Sequence, residues 1–91
     1  MTYREILKLA ANNLGLTQLK SISLHHYRAI YGGSQVSVVL YRSMSKCFVN
    51  VQYNGALVLA VAYSIDHKRK RLHPDMAYGI STNYRLRPTR S

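Results

Sequence analysis

Four consecutive cations, Lys68, Arg69, Lys70 and Arg71, stand between His67 and His73 in the stretch DHKRKRLH. Cations at this density bind polyanions by displacing the counterions condensed on phosphate, so the chemistry they suggest is backbone recognition with weak sequence preference. Arg85, Arg87 and Arg90 would extend the same contact toward the C-terminus. Upstream, Arg42 and Lys46 lie among the rings of Tyr41, Phe48 and Tyr63. Exposed rings stack on unpaired bases, which makes these three a candidate stacking platform, or an apolar anchor, beside phosphate-binding cations. The competing expectation is structural: a solvated strand end for the cations, and rings covered by the C-terminal segment or by a second subunit.

Other chemistry has little to stand on. Glu5, Asp66 and Asp75 are the only acids, too few and too scattered for a carboxylate pair or a magnesium site. A metal between His67 and His73 would place a cation among cations, so no metal and no cofactor are expected. Cys47 is the single cysteine, which excludes an intramolecular disulfide and suits a small buried apolar residue. Gly32-Gly33 reads as a turn, not a phosphate cradle.

Thirteen Lys and Arg against three acids leave a net charge of +10 on 91 residues. Self-repulsion of that size is relieved by a polyanion, so nucleic acid is the first expected partner and an acidic protein surface the second. The longest apolar run, ALVLAVAYSI, is well short of the roughly 20 residues that span a bilayer, and no membrane span is expected. The opening MTYREILKLA carries charges where a secretory signal is apolar, so a cytoplasmic protein is expected, with a nuclear one left open by the basic run. At 47% hydrophobic content with eight tyrosines, the chain is too apolar for intrinsic disorder.

These residues need elements to position them. Thr2 followed by Glu5 is a capping box, which opens a helix carrying Tyr3, Ile6, Leu7, Ala10 and Leu14 on one face and ending at Gly15. Residues 18–31 fit both helical spacing and alternation; their Ser, His, Tyr and Ile content favours a strand. Asn54-Gly55 between two apolar runs predicts a tight hairpin. An unbroken register would then pair Val51 with Val58, Val49 with Ala60 and Cys47 with Ala62 on a core face. It would place Leu57, Leu59, Val61 and Tyr63 opposite Gln52, Asn50, Phe48 and Lys46 on a mixed face, where a homodimer contact is one way to cover the leucines and valine. A turn at Met44-Ser45 would add Val36, Val38 and Leu40 to the core and set Tyr41 opposite Phe48.

The predicted fold is α+β: an N-terminal helix packed on one face of a three- or four-stranded antiparallel meander, within a compact domain of residues 1–65. Residues 66–91 hold seven of the thirteen cations and both prolines, and are expected as a basic, partly extended segment in which MAYGI can add an edge strand.

Two stretches resemble known families. LKLAANNLGLTQLKSI, around Ala11, Gly15 and Leu16, resembles the first helix and turn of helix-turn-helix proteins, although Ser21 stands where the second helix presents a buried aliphatic. That resemblance would make residues 18–31 a recognition helix and the following hairpin a wing. REILKLAANNLG followed by SLHHYRAIYGGSQVSVVL is similar in order to HicA-type messenger-RNA interferases, whose fold is double-stranded-RNA-binding-like. This second likeness implies a metal-independent ribonuclease in which His25, or its neighbour His26, is general base on a ribose 2′-hydroxyl and Arg28 steadies the phosphorane. Ser23-Leu24-His25 departs from the Gly-Ser-His context of that family. As ordinary strand residues, His25 and His26 would point to opposite faces, so at most one would serve a given site. The leading expectation is a small, non-enzymatic nucleic-acid-binding module, with an inhibitor or adaptor for an acidic surface, and the ribonuclease, as alternatives.

Overall fold

The computed structural model describes residues 1–77. One helix, α1 (Tyr3–Leu14), precedes six strands: β1 (Thr17–Ser21), β2 (His26–Tyr31), β3 (Ser34–Arg42), β4 (Lys46–Tyr53), β5 (Ala56–Asp66) and β6 (Arg71–Ala77). The strands form one antiparallel sheet in chain order, β1-β2-β3-β4-β5-β6. The antiparallel α+β architecture agrees with the sequence. The strand count does not: six strands replace three or four.

The helix starts and stops where its sequence signals lie. Thr2 Oγ1 accepts from the Glu5 amide at 3.1 Å and Glu5 Oε1 accepts from the Thr2 amide at 2.8 Å, satisfying two donors that a helix start leaves free. At the far end the Gly15 amide donates to Asn12 and the Leu16 amide to Ala11, a Schellman closure that delivers Leu16 into the core. The helix-turn-helix likeness fails where its second helix should stand: residues 17–21 and 26–31 are a strand pair.

Two-residue turns set the middle of the sheet. Asn54 and Gly55 have φ of 52° and 79°, the left-handed values that a type I′ hairpin needs, and Gly32-Gly33 makes the same turn between Tyr31 and Ser34. The Met44-Ser45 turn places Tyr41 opposite Phe48 and sends Val36, Val38 and Leu40 into the core, as the sequence predicts.

The predicted β4–β5 register holds only for the first two pairs, Tyr53 with Ala56 and Gln52 with Leu57. Val58 is then an extra residue, a β-bulge, and beyond it Val51 faces Leu59, Val49 faces Val61 and Cys47 faces Tyr63. The reason is volume. An unbroken register would put Ala60 and Ala62 under the helix, whereas the bulge puts Leu59, Val61, Tyr63 and Ile65 there and turns both alanines to the other face. The eight-residue apolar run from Ala56 to Tyr63 has no polar alternation to reveal this shift. It also removes the expected Leu57, Leu59 and Val61 patch, since Leu59 and Val61 belong to the core side.

The helix therefore lies over one sheet face, with Ile6, Ala10 and Ala11 against a floor that includes Val38, Leu40, Cys47, Val49, Val51 and Tyr63. Among the described residues, no element packs on the opposite, open face. Neither does the chain leave the sheet after Ile65: β6 pairs with β5 from Asp66 and Arg71 onward. Pro74 is tolerated there because β6 is an edge strand.

Candidate nucleic-acid interface

Asp66 and Arg71 are paired, so His67, Lys68, Arg69 and Lys70 form the tip of the β5–β6 hairpin. Asp66 Oδ1 accepts the Arg69 amide at 3.1 Å, and Lys70 adopts φ 55°, which together fold the tip back on itself. The Arg69 amide, followed by His73 and the Arg69 charge, holds the Asp66 carboxyl below the usual carboxylate range. His67 braces the loop from both ring nitrogens: Nδ1 lies 3.0 Å from the N-terminal amine and Nε2 lies 2.8 Å from the Met44 carbonyl.

All four cations, Lys68 to Arg71, are exposed, and among the described residues none of them forms an ion pair. The nearby acids are engaged elsewhere. Asp66 caps the loop, and its Oδ2 lies 3.6 Å from His73 Nε2. Glu5 closes the helix cap, and the Thr2 amide first, then Lys70, lowers its pKa. Asp75, the extra residue of a bulge in β6, takes Lys46 Nζ and the Ser64 hydroxyl, both of which lower its pKa. Lys46 thus carries a paired charge.

The open face can be followed from the register. One row runs Lys20, Arg28, Ser37, Gln52 and Leu57; the next His26, Val39, Asn50 and Ala60; the next Tyr41, Phe48 and Ala62; then Lys46 and Ser64; and finally Asp66 and Arg71. Tyr41 is 50% exposed and Phe48 half-buried. Two expected members of this platform are on the other side. Tyr63, 2% exposed, is core, where burial raises its hydroxyl pKa, because the Val58 bulge reverses its face. Arg42 pairs with Cys47 on the helix side, and its Nη1 donates to the Met1 carbonyl at 3.4 Å. Arg85, Arg87 and Arg90 lie outside the described residues.

The three residues of the ribonuclease expectation do not form one cluster around His25. His25 sits in the β1–β2 connection, its Nδ1 3.4 Å from the Tyr3 hydroxyl and its ring 5.2 Å from that of Tyr41. Tyr3 in turn donates to the Leu40 carbonyl at 3.0 Å, which ties the helix start to β3. His26 and Arg28 are both exposed on the open face, two residues apart on β2. Among the described residues, no three His, Cys, Asp or Glu side chains gather as a metal site, and no helix is long and apolar enough to cross a membrane.

Two features escape sequence reading. Lys20 joins Arg28 only through the β1–β2 pairing, and the sole clue is the bulge-prone strand around Gln18, which has φ 54°. The exposed tips Ile22 (53%), Leu24 (76%) and Met44 (83%) share the end of the sheet where the basic loop lies, because all three connections close at that end. With this geometry, no protein-family model, no curated protein and no solved structure matches the chain.

Proposed function

We propose that this protein is a small nucleic-acid-binding module that grips the phosphate backbone with Lys68, Arg69, Lys70 and Arg71. The observation that carries the reading is the β5–β6 hairpin end: three exposed cations on a loop braced by Asp66 and His67 and a fourth, Arg71, at the start of β6, with no ion pair among the described residues. A solvated strand end needs neither four adjacent charges nor a brace on both sides. Backbone contact releases counterions, so affinity falls steeply with salt and depends little on sequence. Fluorescence anisotropy with labelled oligonucleotides across a salt series tests this. Replacing all four cations with Gln should lower the log–log slope by about 3, and a slope that is unchanged, or flat in the native protein, refutes the reading.

A second reading is an inhibitor or adaptor for an acidic protein surface, favoured by Leu24 and Met44 standing exposed at the basic end, where cations steer and an apolar residue anchors. Capture of one protein that survives nuclease treatment, and is lost on Leu24→Ser with Met44→Ser, would select it over nucleic acid.

A further inference from the structure

The open face has a second cationic corner. Lys20 and Arg28 are register neighbours on β1 and β2, bordered by Gln18, Gln35, Ser37 and Gln52 in two shallow polar depressions. Counted through the register, their row is eight residues from the row of Arg71, about 27 Å along the strands, and β1 is five strand spacings, about 24 Å, from β6. Arg71 and the Lys20–Arg28 pair therefore occupy opposite corners of this face, while Lys70 turns to the helix side beside Met1, Glu5 and Lys8. Midway between the two corners, four residues from each row, stands the Tyr41–Phe48 pair, beside half-buried Asn50 and the buried Val39, Ala60 and Ala62.

We propose that the open face carries one single strand of nucleic acid along this diagonal, from Arg71 at the base of the basic tip, across Tyr41 and Phe48, to Lys20 and Arg28. This path rests on the nucleic-acid reading above and adds the strandedness of the ligand and its direction over the sheet. Cations at both ends and rings between them match a ligand whose phosphates continue past its bases. A duplex hides its base faces in the stack and is read in its grooves by a helix or a ribbon, and among the described residues neither projects from this face. An unpaired base reaches Tyr41 freely, and stacking is indifferent to base identity.

The test compares a labelled single strand of about 12 nucleotides, its duplex, and vesicles of phosphatidylserine with phosphatidylcholine. Native protein should bind the single strand at least about tenfold more tightly than the duplex, and both more tightly than the vesicles. Lys20→Gln with Arg28→Gln should lower the single-strand salt slope by about 1.4, while Arg4→Gln, a control on the helix, should move it far less. Tyr41→Ala should weaken single-strand binding about fivefold or more and leave duplex binding unchanged. Salt-dependent binding that ignores strandedness, Tyr41 and the Lys20–Arg28 corner overturns the path but leaves the backbone reading standing. Loss of both follows if neither oligonucleotide binds, or if only the vesicles do.

Discussion

The two faces of the sheet are built from the same strands and obey opposite rules. Under the helix, Val38, Leu40, Val49 and Val51 are at most 1% exposed, and every position is a matter of volume. On the other side, Arg28, His26, Ser37 and Tyr41 are exposed, Phe48, Asn50 and Gln52 half-buried and Val39, Ala60 and Ala62 buried, so its exposed positions are free to differ in charge and hydrogen-bonding capacity without cost to the core. The difference teaches where stability ends and binding begins. Tyr63 and Tyr41 state it in one residue type: the first is core, the second half in solvent, and only the second is available to a ligand.

The largest expected effect breaks the helix-side face. Leu40→Ala should destabilise by about 2–5 kcal/mol, a large share of the modest stability of a chain this short, as read by thermal unfolding. The tyrosine pair sharpens the contrast: Tyr63→Ala should cost about 3–5 kcal/mol, whereas Tyr41→Ala should cost under about 1 kcal/mol and show instead in affinity. Replacing Lys68–Arg71 with Gln should leave the unfolding midpoint nearly unchanged, since none of the four forms an ion pair among the described residues, while removing most of the salt dependence of binding.

The smallest effect concerns the loop brace. The Asp66 carboxyl is held below its ordinary value of about 3.9, so the stabilisation it gives is complete above that value and is lost as pH falls through its lower folded value. The Arg69 amide resonance should follow that transition at a pH below about 3.9, and a midpoint at or above it would remove the brace. Cys47, whose thiol burial pushes up to about 11, should ignore thiol reagents near pH 8 until the fold opens.

Much of the fold is legible in the residues themselves. The Thr2–Glu5 box, Gly15, Asn54-Gly55 and the Tyr41–Phe48 pairing are local signals, and each forms as its chemistry requires. What escaped is non-local. The Val58 bulge is decided by competition between alanines and larger residues for the space under α1, which no window of β5 contains. The return of the chain through β6 was hidden by the composition of DHKRKRLH, whose charge masks a hairpin held by a single carboxylate and a histidine. Lys20 has no partner in sequence and gains Arg28 only across the sheet.

The tyrosines also supply the most direct measurement. Side-chain aromatic resonances of Tyr41 and Tyr63 would be followed by NMR while a single-stranded oligonucleotide is added. Ring shifts for Tyr41 that saturate together with the amides of residues 68–71, and a Tyr63 ring that does not respond, are the predicted result. Shifts that reach Tyr63 but not Tyr41, or a loop that stays silent while the oligonucleotide binds elsewhere, would contradict the assignment of the open face and its basic tip to nucleic acid.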